Sequence, residues 1–161
     1  MSWPAEARVA DVLSWLQATR VAQTVAESKM LTAALSATHL VGLTLIVGSA
    51  FVSALALTGI AFPLRSPSVA TASMRRAVWL GLTISLITGF LLFSGRAEAA
   101  SENSFFQVKM LLLVAAASCQ LAMHRIAQRG STSRALQTTG VLGAALWVGV
   151  AIAGCAFILL E

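Results

Sequence analysis

Apolar residues along this chain form four long runs, and most polar and charged residues lie between them. The runs cover residues 30–62, 77–94, 105–126 and 135–160. A helix crosses the hydrocarbon core of a bilayer with about 20 residues, so each run is long enough to span a membrane. The first run exceeds one straight span, and Pro63 and Pro67 are expected to end it. The short connections between the runs make consecutive helices antiparallel neighbours.

The segment before the first run has a different pattern. Between residues 4 and 28, apolar side chains recur at helical spacing, as at Val9, Val12 and Leu16, with charged residues between them. This pattern predicts an amphipathic helix that lies in the membrane interface or docks on another subunit. The expected fold is therefore all-α: one integral membrane domain over residues 1–161, in which an amphipathic N-terminal helix precedes a bundle of four transmembrane helices.

Composition supports a membrane protein and argues against a nucleic-acid-binding one. Of 161 residues, 58% are hydrophobic and only 11% are charged, whereas about a quarter of residues are charged in soluble domains. The net charge of +5 comes from arginines clustered between the apolar runs. Such clusters are typical of membrane topology signals, so lipids and other membrane or periplasmic subunits are the expected partners.

The arginines also predict orientation. One pair of connections carries arginines and no acid, namely Arg65, Arg75 and Arg76 after the first run and Arg125, Arg129 and Arg134 after the third. The N-terminal segment and the connection after the second run carry both signs of charge. The positive-inside rule then places both termini on the outer side, which is the periplasm for a bacterial inner membrane.

Catalytic motifs are missing from the sequence. It has no P-loop, GxGxxG or GxSxG pattern, and none of its acids falls inside an apolar run. The two cysteines, Cys119 and Cys155, lie within apolar runs and fit small packing residues. We therefore do not expect the chain to be an enzyme on its own.

Small and polar residues recur along one face of each run, and His39 lies on such a face with Gly42 one turn further. Faces of this kind let membrane helices pack closely. Glycine beside histidine leaves flat space, which a porphyrin ring or a neighbouring helix could fill. His39 is therefore either a cofactor ligand, for haem b or a metal, or a residue bonded to a hydroxyl of the next helix.

His124 is the second histidine, at the inner end of the third run, and it fits either an interfacial residue or a cofactor ligand. At about 1.5 Å per residue, His39 lies roughly 12 Å below the outer surface and His124 roughly 27 Å below it. The offset of about 15 Å is too large for both to ligate one haem. A haem held by His39 would need its second ligand from another subunit.

Lys109 lies near the outer end of the third run. Its ammonium either extends to the interface or joins a polar cluster with His39 and Glu27. Such a cluster suits a quinone headgroup, a haem propionate or a metal. Met30 and Met110 are expected at a similar depth, so a copper site with His39 is a further possibility.

Several short motifs give the chain a family resemblance. They are Trp15–Thr19, Glu27-Ser28, His39–Gly42, Gly48-Ser49, Thr88–Phe90 with Phe93, and Phe106 followed by Lys109 and His124. Over roughly residues 11–129 the chain resembles a bacterial membrane family catalogued as domain of unknown function number 6644. The resemblance implies a four-helix inner-membrane protein in which Glu27, His39 and Lys109 occupy marked positions. The chain differs from the family pattern at residues 54–59, where the family commonly has an Asp-Leu-Arg-x-x-Gly segment and this sequence has no charged residue.

Three functional hypotheses follow from the sequence. The first is a small subunit or anchor of a larger redox membrane complex, with or without haem b held through His39. The second is a copper-handling protein with an outer-half His/Met site. The third is a structural bundle in which His39 and Lys109 only hold helices together.

Overall fold

The computed structural model describes residues 4–58, 67–128 and 134–159, and these residues are helical almost throughout. Seven helices follow one another: α1 Pro4–Gln17, α2 Arg20–Glu27, α3 Lys29–Leu57, α4 Pro67–Ser94, α5 Ala97–Glu102, α6 Ser104–Gln128 and α7 Arg134–Leu159. The described residues contain no β-strand. The prediction of an all-α fold is confirmed.

Four of the helices are long and apolar enough to cross a membrane. The spans are α3 over Lys29–Leu57, α4 over Met74–Ser94, α6 over Ser104–Gln128 and α7 over Arg134–Ala156. The chain is a multi-pass integral membrane protein. We call the end of the bundle where α3 begins and α4 ends the outer end, and the opposite end, where α6 ends and α7 begins, the inner end.

The helix bounds differ from the predicted runs mainly around the first connection. Helix α3 ends at Leu57, so the predicted residues 59–62 lie outside the described chain, as do Pro63 and residue 160. Pro67, which was expected to stop a helix, instead begins α4 ten residues before the apolar run starts at Ala77. Proline suits this position because the first turn needs no N–H donor and proline already has a helical φ.

The predicted N-terminal helix over residues 4–28 is two helices, so the prediction of one helix there is wrong. The chain leaves the helical conformation at Thr19, whose extended backbone has φ −66° and ψ 145°, and the Thr19 hydroxyl caps α2 by accepting from Ala22 N–H. Ser28 is extended as well, with φ −97° and ψ 99°, and separates α2 from α3. The short helix α5 was not predicted, and α1 packs against it.

The apolar core lies where α3, α6 and α7 meet. Trp147 is 1% exposed and fills the middle of the bundle, packed with Ile46, Ala50, Ala116 and Val150. Helix α3 packs along α4 and α7, and α6 along α7, whereas α4 and α6 touch each other less. Side chains of these helices thus fill the described bundle centre around Trp147.

Helices α3 and α4 approach most closely at two glycines. A Cβ atom on Gly42 would lie 2.6 Å from Ser85 Oγ, and one on Gly81 would lie 2.6 Å from the Gly42 carbonyl oxygen. Both distances are below van der Waals contact, so glycine is required on each helix. The faces of small residues on α3 and α4 are therefore packing faces at this level of the bundle.

Candidate functional site

A histidine and a threonine join α3 to α4 in the outer half of the bundle. His39 Nδ1 lies 3.0 Å from Thr88 Oγ1. The backbone carbonyl of Ser85, one turn before Thr88, adds a second polar contact to His39. Of the alternatives for His39, a bond to a hydroxyl of the neighbouring helix is therefore present in the structure.

The bond to Thr88 favours a proton on one particular nitrogen of the His39 ring. Thr88 Oγ1 lies 2.7 Å from the Ile84 carbonyl oxygen, so its single proton is donated to that carbonyl. With that proton on the Ile84 carbonyl, the hydroxyl oxygen accepts from His39, and this arrangement puts the proton of the neutral ring on Nδ1. In the neutral ring, Nε2 keeps a free lone pair. Histidines that bind metals commonly have this arrangement, with one nitrogen donating to an oxygen and the other available as a ligand.

The surroundings of the ring are tight on the α4 side. A Cβ atom on Gly89 would lie 3.0 Å from His39 Cε1, so glycine is needed for the ring to lie against α4. Beside Gly42, the space is filled by Gly81 and Ser85 of α4. Of the two occupants considered for the Gly42 face, the neighbouring helix is the one found there, and a cofactor at His39 must approach from another side of the ring.

Lys109 of α6 reaches toward α7 and toward His39. Its Nζ would be 3.4 Å from a Cβ atom on Gly154, so the side chain lies in the space that this glycine leaves. The lysine is partly buried, and it is close enough to interact electrostatically with His39 and Cys155. No carboxylate in the described ranges forms an ion pair with it, because the acids nearest in sequence lie in exposed segments beyond the spans.

Two aromatic rings lie one turn further out. Phe93 of α4 and Phe106 of α6 stack with centroids 5.2 Å apart and planes 11° from parallel. Phe93 follows Gly89 by one helical turn, and Phe106 precedes Lys109 by one turn. The stacked rings therefore bring α4 and α6 together just outside the level of His39 and Lys109.

Three other predicted site residues are not brought to this cluster. Glu27 is exposed at the end of α2, and no hydrogen bond or ion pair among the described residues connects it to His39 or Lys109. Met30 is 85% exposed and Met110 is exposed too, so both thioethers face outward. In the described chain, Lys109 therefore interacts electrostatically with His39, whereas Glu27, Met30 and Met110 are exposed.

His124 lies at the opposite end of the bundle from His39. Its Nε2 is 3.3 Å from the side-chain nitrogen of the buried Gln120, and its ring is close enough to Arg75 for an electrostatic interaction. Along α4, Arg75 and Thr88 are separated by roughly 20 Å at about 1.5 Å per residue. The two histidines therefore mark different depths, as the sequence predicted.

Thr88, Gly89 and Ser85 complete the site, although sequence reasoning did not select them as site residues. Thr88 and Gly89 carried a signal, since both belong to a motif of the family resemblance. Ser85 is 8% exposed, and its hydroxyl is one of two buried polar side-chain groups without a hydrogen bond in the described chain.

No group of three or more His, Cys, Asp or Glu suited to a metal occurs among the residues described. No family model, curated protein or solved structure matches the chain.

Proposed function

We propose that this protein is a small subunit of a redox membrane complex, and that His39 supplies one axial ligand to a haem b at the contact with another subunit. The observation that supports this best is the His39–Thr88 hydrogen bond. It fixes the ring and leaves Nε2 with a free lone pair, which is what an axial ligand needs.

The proposal includes a partner because this chain offers only half of a bis-histidine site. Its two histidines are His39 and His124, and they lie at opposite ends of the bundle. The α4 side of His39 is filled by helix packing at Gly42 and Gly89. A haem at His39 would therefore lie between this chain and a neighbouring subunit, which supplies the second ligand.

Lys109 also supports a haem at His39. Its ammonium lies in the outer half of the bundle without an acidic partner in the described chain. A cation in an apolar environment is costly unless an anion accompanies it. A haem propionate is such an anion, and Lys109 interacts electrostatically with His39.

The membrane and the orientation are part of the proposal. We infer a bacterial inner membrane, with both termini in the periplasm and the arginine-rich inner end in the cytoplasm, since the connections there carry arginine and no acid. His39 and Lys109 would then lie in the periplasmic half of the bilayer.

The test compares two histidine variants purified with a C-terminal tag in mild detergent, under conditions that keep partner subunits bound. Haem b is extracted and quantified per mole of protein in the wild type, His39→Ala and His124→Ala. We expect haem in the wild type, its loss in His39→Ala and its retention in His124→Ala. His124 is a matched control because it is the same residue type, partly buried, at the other end of the bundle.

Three further outcomes would contradict the proposal. Equal haem loss in both variants would show a general loss of folding or assembly rather than ligation by His39. A wild type without haem or metal, with His39→Ala changing only thermal stability, would leave the histidine with a structural role between α3 and α4. Copper near one ion per chain would support the copper hypothesis instead, for which the outward-facing Met30 and Met110 give no ligands.

A further inference from the structure

An open groove lies on the outer surface of α4 near the inner end of the bundle, far from His39. It has a volume of about 680 Å³ and is lined by Arg75, Arg76, Trp79, Leu80 and Thr83. These residues occupy little more than two turns of one helix, on a side that no other helix of the described chain covers. Trp79 is 54% exposed and Leu80 is 61% exposed, so the groove faces the surrounding lipid.

The arginines of this groove have no anionic partner among the residues that the structure describes. Both are exposed, and neither forms an ion pair or hydrogen bond in the part of the chain that the structure describes. The sequence contains no Asp or Glu between Glu27 and Glu98, nor between Glu102 and Glu161. Arg125 and Arg134 add positive charge at the same end of the bundle. The positive charge at the groove must therefore be balanced from outside the chain.

The order of residues along α4 matches the layers of a membrane. The candidate span within α4 covers Met74–Ser94 of the described residues, and we place Arg75 and Arg76, at its inner end, at the level of lipid headgroups. Trp79 follows one turn deeper, where amphipathic aromatic rings favour the interface. Leu80 and Thr83 lie deeper again, where acyl chains pack. A cation pair, an interfacial ring and an apolar surface thus follow one another along a single face.

We infer that this groove binds one anionic phospholipid, with its phosphate between Arg75 and Arg76 and an acyl chain along Trp79, Leu80 and Thr83. Charge complementarity selects an anionic headgroup over a zwitterionic one. The exposed apolar surface immediately below the arginines selects a lipid over free phosphate, which would leave Trp79 and Leu80 uncovered.

Tryptophan quenching by brominated lipids measures this binding directly. Trp3 and Trp15 are replaced by Phe, which leaves Trp79 and the buried Trp147, and the protein is reconstituted in mixed phosphatidylcholine and phosphatidylglycerol vesicles. Either lipid is brominated in turn, and the two quenching curves give the relative affinity for the anionic lipid at Trp79. We expect a preference for phosphatidylglycerol of at least about fivefold, since a single juxtamembrane cation contributes an effect of that order.

Two charge variants distinguish lipid binding at the groove from a general attraction of anionic lipids to the positive charge of the inner end. R75Q/R76Q should lower the preference to near equality, while R125Q, which removes a cation at the same end outside the groove, should retain it. W79F should remove most of the quenching. Each variant is checked for unchanged thermal unfolding, which is expected because the altered side chains are exposed.

Other results would overturn the inference. Equal affinity for both lipids in the parent protein would exclude an anionic lipid site, and so would a preference that R75Q/R76Q leaves intact. Equal effects of R125Q and R75Q/R76Q would assign the preference to the charge of the whole inner end. Displacement of the lipid by excess inorganic phosphate would show a phosphate site that does not require a lipid.

Discussion

Hydroxyl groups inside the transmembrane helices are satisfied mainly by their own helix. Thr38, Thr44 and Thr83 each donate to the carbonyl four residues earlier, at distances of 2.8–2.9 Å. This satisfies the hydroxyl where water is absent. Thr88 does the same with the Ile84 carbonyl, yet its oxygen also accepts from His39 of another helix. That additional bond orients the only histidine in the outer half of the described bundle.

Removing the Thr88 hydroxyl should therefore destabilise the bundle. In Thr88→Val we expect the free energy of unfolding to fall by on the order of 1 kcal/mol, which is the size of a hydrogen bond between membrane helices. Denaturing-detergent titration in micelles measures the difference. Thr83→Val is the matched control, because the Thr83 hydroxyl is exposed and bonds only the Trp79 carbonyl. Equal effects of the two substitutions would argue against an interhelical role for Thr88.

Sequence reasoning offered a cluster of His39 and Lys109 as one of two alternatives for Lys109, but it could not identify the partners of either residue. A bond from His39 to a hydroxyl was one of the alternatives considered, yet several hydroxyls on α4 lie at suitable spacing, and only helix rotation selects Thr88. The prediction that Glu27 joins His39 rested on its expected place in the outer half and on the family resemblance. The extended backbone at Ser28 breaks the helix between them, so that Glu27 ends exposed on α2. A helix break in which a serine caps the next helix is close in free energy to an uninterrupted helix, so it is difficult to predict from one sequence.

At the scale of helices, the contact between α3 and α4 depends on glycine at two facing positions. The backbones approach closely at Gly42 and Gly81, where a Cβ atom on either residue would overlap the other helix. Gly48 belongs to the same helix as Gly42, but a Cβ atom there would meet nothing within 4 Å. The two glycines on α3 thus differ in packing alone.

This difference predicts that glycine-to-alanine substitution changes the free energy of unfolding differently at the two positions. Gly42→Ala should lower the free energy of unfolding by about 1–3 kcal/mol, as overpacking of a close contact does. Gly48→Ala should be neutral or stabilising by up to about 1 kcal/mol, because alanine favours helix more than glycine does. Unfolding titrations in the same detergent measure both. Similar losses at Gly42 and Gly48 would contradict the close approach of α3 and α4.

The apolar runs predicted the four spans because transmembrane helices must be about as long as the bilayer is thick. Helix ends outside the bilayer were predicted less well, since no such length constraint acts there. Helix α4 extends beyond its apolar run to Pro67. Helix α5 is short and polar, and no periodic pattern of apolar residues predicts it. The division between α1 and α2 depends on capping by Thr19.

At the scale of the whole molecule, charge and helix count together support the proposed topology. Four spans place both termini on one side of the membrane, and the arginines concentrate at the opposite, inner end. The groove at Arg75 and Arg76 belongs to that end, whereas His39 and Lys109 belong to the other. The two proposed sites therefore face different leaflets.

A reporter that is active only in the periplasm tests this orientation when fused after Glu161. We expect activity in a fusion to the full chain, because four spans return the C-terminus to the side of the N-terminus. A fusion after Gln128, which retains three spans, should be inactive and serves as the control. The reverse pattern would place the arginine-rich end outside and contradict the positive-inside assignment.

We propose above all that His39 ligates a haem b shared with another subunit. The most direct test is the reduced-minus-oxidised absorption spectrum of the protein purified in mild detergent with its partners retained, with metal analysis of the same sample. The account predicts the sharp bands of haem b and iron in proportion to haem. A colourless, metal-free protein purified together with its partners would contradict it.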